Sequence, residues 1–141
     1  MPSKPIIIED GSDEILTFLK EKLREYNHPF FGSYKRKNFS ICIYEDNKDI
    51  IAAIYGFYIP EYKFARAEFV WVKEELRRQG LGKALFTKLK EYAISCGCNK
   101  LQVSTGDFQG PHFYEKIGFK RIGIAPKWFC DHDEIFMEKY L

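Results

Sequence analysis

Arg77 to Ala84 reads R-R-Q-G-L-G-K-A. Two arginines come just ahead of two glycines spaced by one residue, and an apolar pattern of helical spacing follows. Gly80 and Gly82 lack Cβ atoms, so an anion can come close to the main chain. A helix starting here points its unpaired N–H groups and the positive end of its dipole at the same spot. Phosphates bind readily to such a terminus. Between Lys73 and Lys90 six basic residues stand against two acidic ones, while the whole chain carries only +2. Arg77, Arg78, Gln79, Gly80, Leu81, Gly82 and Lys83 therefore form a candidate cradle for a diphosphate. Two familiar loops are excluded. A Walker A loop ending at Gly82-Lys83 needs glycine at position 77 and Ser or Thr at 84, where this chain has Arg77 and Ala84. A dinucleotide G-x-G-x-x-G needs glycine at position 85, where it has Leu85.

The elements that must hold this loop follow from periodicity and punctuation. Ile6–Ile8 reads as a short first strand. Ser12 is an N-cap with Asp13 and Glu14 at the positive helix end, and Ile15, Leu19, Leu23 and Tyr26 trace one apolar stripe. Asn27-His28-Pro29 is expected to stop that helix. Strands are predicted over 39–44, 50–59 and 65–72, the first two joined by the E-D-N-K-D turn. After the glycines, Leu81, Leu85, Leu89, Tyr92 and Cys96 predict a second helix ending near Gly97. A strand over 101–105, a short helix opened by Pro111 and ended by Gly118, and strands over 119–124 and 134–140 complete the order. The expectation is one α+β domain over 1–141, with a mixed, mostly antiparallel sheet of about seven strands flanked by helices.

The 141 residues suit one domain, and 45% hydrophobic with 30% charged residues is a globular composition. A net charge of +2 does not by itself imply nucleic acid. No run of about 18 apolar residues is present. The start, M-P-S-K-P-I-I-I-E-D, is too short for a signal-peptide core, so a cytoplasmic location is expected. Cys42, Cys96, Cys98 and Cys130 read as reduced structural thiols. Cys96-Gly97-Cys98 is C-x-C rather than the C-x-x-C of zinc or redox sites, and no metal is expected.

Arg77-Arg78-Gln79-Gly80-Leu81-Gly82 resembles the Q/R-x-x-G-x-G/A signature of the GNAT N-acetyltransferase superfamily. Phe113-Tyr114-Glu115-Lys116-Ile117-Gly118-Phe119 resembles the F-Y-x-K-x-G-F segment of the same family, and I-F-M-E-K-Y-L its last strand. The resemblance implies that the loop amides hold the diphosphate of acetyl-coenzyme A (acetyl-CoA). It also implies that Val70, Trp71 and Val72 line the pantetheine on the strand before the loop, with Phe113 part of the same site. The strands on either side of that arm are expected to part, with the Val72 N–H meeting the oxyanion. Many members carry Asn shortly before F-Y. Here Gln109 stands in that region, and its amide offers the same donor and acceptor.

Acetyl transfer needs a neutral amine, donors for the oxyanion and a proton for the leaving thiolate. An alkylamine with pKa near 10.4 is only about 0.04% neutral at pH 7, a deficit of about 4.6 kcal/mol. The resemblance makes Tyr114 the general acid beside the sulfur, with packing alone as its other role. Glu68 is the candidate base and falls on the face of Val72 by two-residue alternation. An ordinary cross-strand charge partner is the competing reading, and Glu61 and Asp107 are weaker bases.

In the family the region of Tyr26 to Tyr34, Y-N-H-P-F-F-G-S-Y, caps the acceptor site, which implicates Tyr26, His28, Phe31 and Tyr34. Stacked rings there would clasp a cation or a flat apolar group. His112 reads as a surface residue at a helix start, and Asp131-His132-Asp133 as a turn or an acidic gateway for an amine. The expected partner is a small-molecule or peptide amine, with no nucleic acid and no membrane, and a homodimer is compatible. Two other classes stay open. One is a non-catalytic acyl-CoA sensor that keeps the loop; the other is a protein-interaction domain with an aromatic surface.

Overall fold

A short polar turn separates each apolar run from the next, and among the described residues the computed structural model has six strands, three α-helices and two 3-10 turns. It describes residues 4–46 and 48–141. The first three residues, and Asn47 in the E-D-N-K-D turn, lie outside the described residues. The chain divides into two units, Met1–Ser33 and Tyr34–Leu141.

In the first unit, helix α1 spans Asp13–Phe31. Ser12 caps it in extended backbone, its Oγ accepting the Ile15 N–H at 3.3 Å. Asp13 and Glu14 occupy the first turn, at the positive end of the dipole. The predicted stop is corrected: Pro29 lies inside the helix, which ends at Gly32. A proline in the last turn removes one backbone hydrogen bond but leaves the following residues free to keep turning. Gly32 ends the helix with φ +69° and donates its N–H to the His28 carbonyl at 2.8 Å. The predicted strand over Ile6–Ile8 does not form, and those side chains are strongly exposed. Three apolar residues make a strand only where a neighbour takes up their peptide groups.

The second unit holds the sheet: β1 Lys37–Glu45, β2 Asp49–Ile59, β3 Phe64–Val72, β4 Lys100–Gly106, β5 Lys120–Phe129 and β6 His132–Tyr140. Helix α2 spans Leu81–Ser95 and α3 spans Pro111–Lys116. The strand order is β1-β2-β3-β4-β6-β5, so the sheet has six strands rather than seven. Only the β3–β4 pair is parallel. One face of the sheet carries Ala52, Ile54, Ala65, Ala67, Leu101 and Val103 against Leu85, Phe86, Leu89 and Ala93 of α2. Of the α2 stripe read from sequence spacing, Leu85 and Leu89 are buried, Leu81 and Cys96 are partly buried and Tyr92 stays exposed; Phe86 and Ala93, outside that stripe, complete the buried face.

Between β2 and β3 the register slips. Tyr55 faces Phe69 and Gly56 faces Ala67, so Glu68 is an extra residue in β3. The bulge reverses the alternation: Ala65 and Ala67 face α2 before it, and Val70 and Val72 pack on that core after it. A Cβ on Gly56 would run into the carbonyl oxygen of Arg66 and lie 3.0 Å from the Phe39 ring. Gly56→Ala is therefore expected to lower unfolding free energy by about 2 kcal/mol, measured by denaturant titration. An unchanged midpoint would contradict this packing across the bulge.

Candidate functional site

β3 and β4 pair only over Phe64–Arg66 and Lys100–Gln102. Both strands continue, β3 to Val72 and β4 to Gly106, so they part toward their C-terminal ends as the family resemblance implied. Arg66 Nη2 donates to Ser104 Oγ at 2.9 Å near the point of parting. On its other edge β3 stays paired with β2. Lys73 N–H donates to the Ile51 carbonyl at 2.8 Å, one position beyond the Ala52–Val72 pair. By antiparallel alternation Val70 and Val72 then turn their N–H and C=O groups away from β2, into the gap. Trp71 turns its peptide groups toward β2, and its indole is half exposed.

The chain leaves β3 through one 3-10 turn, Glu74–Leu76, and enters α2 at Leu81. Arg77 Nε donates to the Val72 carbonyl at 3.0 Å, and the Gln79 amide donates to the Glu75 carbonyl at 3.3 Å. These bonds hold the loop against the end of β3. Gly80 is the N-cap, with φ +86° and no side-chain cap. Arg78 is also left-handed, at φ +64°. The first N–H groups of α2 point out of the helix with no intrahelical acceptor. The two glycines serve different needs. Gly80 has open space around it and supplies the left-handed turn. A Cβ on Gly82 would lie 3.0 Å from Phe113 Cζ, so the first turn of α2 sits against that ring.

Tyr114 lies on α3 and is 8% exposed. Its ring packs edge-on to Phe86, Phe113 and Phe119, with centroids 5.4, 5.3 and 5.5 Å away. Burial among these rings pushes the phenol up to about 12. No described residue hydrogen-bonds the hydroxyl, and it is not sealed from solvent. The loop from β4 to α3 is braced by main-chain and side-chain bonds, Gln109 N–H to the Gly106 carbonyl at 3.0 Å among them. Gly106 N–H donates to Gln109 Oε1 at 2.9 Å, Gly110 N–H to Thr105 Oγ1 at 3.2 Å, and Tyr114 N–H to the Gly110 carbonyl at 3.1 Å. Gln109 thus spends its carbonyl on the strand end and keeps its NH2 to donate.

Glu68 is not on the face of Val72. As the bulged residue it breaks the two-residue alternation, and Val72 packs with the α2 core. Its Oε1 is 3.0 Å from Arg36 Nη2, and that guanidinium lies 3.6 Å above the Phe57 ring. Phe57 is the register partner of Arg66, one place from the bulge. Sequence spacing gives no sign of the Arg36–Glu68 pair, since 32 positions separate the two residues.

Of the predicted acceptor residues, Tyr26, His28 and Phe31 lie on α1 in the first unit. The Tyr26 ring is 6.4 Å from Phe30, and His28 Nε2 is 3.4 Å from Ser33 Oγ. Tyr34 opens the second unit, with its ring 5.0 Å from Tyr62. His112 is an exposed residue beside Glu115, Nδ1 to Oε1 3.6 Å. His132 opens β6 rather than standing in a turn, and its Nδ1 is 2.8 Å from Asp107 Oδ1. The four cysteines are free thiols. Among the described residues no group of three or more His, Cys, Asp or Glu side chains could hold a metal ion. Nor is any helix there long and apolar enough to cross a membrane.

The acetyltransferase (GNAT) family profile matches residues 9–119. Blasticidin-S acetyltransferase of Streptomyces morookaense is 30% identical over 69 residues, which is 48% of this chain and 51% of that protein. The match thus spans about half of that relative. An acetyltransferase of Agrobacterium fabrum is 25% identical over 118 residues, 83% of this chain and 85% of its own. Among solved structures, an acetyltransferase from Bacillus cereus superposes with a TM-score of 0.86 at 25% identity, over 96% of this chain and 98% of that one. An aminoglycoside 6'-N-acetyltransferase complexed with coenzyme A shares the fold, with a TM-score of 0.63 at 19% identity over 89% of this chain and 84% of that one.

Proposed function

The chain belongs to the GNAT acetyltransferase family, and from that premise we propose that it transfers the acetyl group of acetyl-CoA to a primary amine. The acceptor is a small molecule, or an exposed amine of a peptide or protein. One observation supports this reading above the rest. The gap between β3 and β4, the uncapped start of α2 and the helix bearing Tyr114 meet at one end of the sheet. The relatives named for blasticidin-S and for aminoglycosides favour a small-molecule amine.

The residues fit the coenzyme. The first N–H groups of α2, with Arg77, Arg78 and Lys83 around them, suit a diphosphate. Val70 and Val72 turn peptide groups into the gap, where pantetheine amides need partners. The Val72 carbonyl is taken by Arg77, so its N–H is the group left for an oxyanion. Bound there, acetyl-CoA supplies an acetyl thioester. Tyr114 holds a proton at Oη and donates it toward the sulfur as charge develops. Its pKa of about 12 keeps it protonated across the working pH range. That value lies above the ~8.5 of an ordinary thiol, so the donated hydrogen bond carries more of the effect than completed transfer. Glu68, oriented by Arg36, is the proposed base. The scheme invokes no metal, and a cytoplasmic location accords with the coenzyme.

Thermal shift with acetyl-CoA tests binding; ligand at 100 times its dissociation constant adds about 2.7 kcal/mol. Thiol release with an amine panel tests transfer. A chain that binds without releasing thiol is a sensor, and one that does neither contradicts the proposal. Glu68→Gln is expected to depress the rate most at low pH, where the acceptor is most protonated. A deficit that stays the same from pH 6 to pH 10 would assign the base role elsewhere.

A further inference from the structure

Asp107 is the first residue beyond β4, and His132 opens β6. Asp107 Oδ1 meets His132 Nδ1 at 2.8 Å, and Oδ2 accepts the Asp133 N–H at 3.0 Å. Both carboxylate oxygens are therefore engaged. The backbone bond from Asp133 first, then His132, holds the Asp107 carboxyl below its ordinary range. An ionised carboxylate only accepts hydrogen bonds, so the neutral imidazole carries its proton on Nδ1 and turns a free lone pair outward on Nε2. The Phe108 ring, 4.6 Å away, covers one side of the imidazole, and the side chain stays 52% exposed. The carboxylate of Asp133 is turned to the Lys127 N–H of β5 at 3.0 Å, and Glu134 is the register partner of Gly106. Asp107 is thus the charged group bonded to the ring.

Topology sets this pair at the same end of the sheet as the proposed reaction site, one strand across β4 from the gap. β3 and β4 are parallel, and β6 is antiparallel to β4. The C-terminal ends of β3 and β4 and the N-terminal end of β6 therefore share one end of the sheet. Val72 and the start of α2 lie at that end. Asp107 and Tyr114 sit on one braced segment, where a Cβ on Gly110 would be 3.5 Å from the Tyr114 ring and 3.8 Å from Thr105 Oγ1.

We propose that His132, oriented by Asp107, is a second proton acceptor that deprotonates the incoming ammonium; this rests on the acetyltransferase reading above. An ammonium acceptor must lose two protons. His132 Nε2 takes the first before attack and passes it to solvent, the imidazolium being stabilised by Asp107. The second leaves by way of Glu68 as the N–C bond forms and the thioester C–S bond breaks. The thiolate leaves hydrogen-bonded to Tyr114 Oη and gains one proton equivalent from solvent, Glu68 gives its proton back to solvent, and one proton is released net. Arg36 already neutralises Glu68 in the free chain, whereas the Nε2 lone pair has no partner among the described residues.

The test combines kinetics with nitrogen-detected NMR of the ligand-free protein. His132→Gln is expected to lower kcat about 100-fold at pH 7. The deficit should shrink as pH approaches the amine pKa of about 10.4, where the acceptor deprotonates unaided. The thermal shift given by acetyl-CoA should persist. NMR of the wild type should show the Nδ1–H tautomer, and Asp107→Asn should lose that preference along with part of the rate. If His132→Gln does not fold, the wild-type tautomer and Asp107→Asn decide the matter. Wild-type turnover in folded His132→Gln, a pH-independent deficit, an Nε2–H tautomer, or an unimpaired Asp107→Asn would each overturn the dyad. Slowed turnover in Tyr114→Phe would in those cases leave the acetyltransferase reading standing. A wild type that releases no thiol with any amine would overturn both.

Discussion

Gly82→Asp is expected to weaken acetyl-CoA binding about a thousandfold, read by calorimetry. The new carboxylate would stand within the first turn of α2, where the diphosphate is proposed to sit. Two like charges about 4 Å apart at an effective dielectric near 20 repel by about 4 kcal/mol, which is close to three decades in Kd. An acidic residue at a helix N-terminus is otherwise favourable, so the charge itself does not unfold α2. The Cβ is a separate matter, because it would press on Phe113 at 3.0 Å. Gly82→Ala carries the same Cβ without the charge and isolates that contribution; it should lose far less affinity. Equal losses in the two variants would mean that sterics, not an anion, explain the glycine. Retained affinity in Gly82→Asp would move the site elsewhere.

Tyr114→Phe is expected to lower kcat about 100-fold while leaving the Kd for acetyl-CoA nearly unchanged. The substitution is clean for structural reasons. Phe has the same ring and fits among Phe86, Phe113 and Phe119. No described residue bonds the hydroxyl, so its removal strands no partner and stability should hold. The pH profile gives a second readout. With the phenol at about 12, the wild type should show no alkaline loss of its acid below about pH 11. Its rate should instead rise with pH as the acceptor amine becomes neutral, reaching half its plateau near the amine pKa of about 10.4. Unimpaired turnover in Tyr114→Phe would reduce the tyrosine to packing.

The parts of this site written in local sequence were the parts that could be read there. R-R-Q-G-L-G-K-A carries its own turn chemistry, and the α2 stripe from Leu81 to Tyr92 carries its own period. Ser12, Pro111 and Gly118 act on residues within one helical turn, and each stands where punctuation predicted. What depends on a partner strand was hidden. Glu68 reads as a face-mate of Val72 until the register opposite Gly56 shows the bulge. Ile6–Ile8 has strand composition, but nothing in three residues says whether a neighbour will pair with them. Pro29 stops a helix by rule, yet near the end it costs one hydrogen bond, and Gly32 does the stopping. The parting of β3 from β4 came from family resemblance, because no single strand records where its neighbour leaves it. Asp107 and His132 are 25 positions apart, and only the β4–β6 pairing brings them together.

A crystal structure of the protein with coenzyme A bound would test the central claim most directly. It should show diphosphate oxygens within hydrogen-bond distance of the main-chain N–H groups that open α2, the pantetheine arm between β3 and β4, and the sulfur within about 4 Å of Tyr114 Oη. Diphosphate bound away from the α2 terminus, or a sulfur out of reach of that hydroxyl, would contradict it.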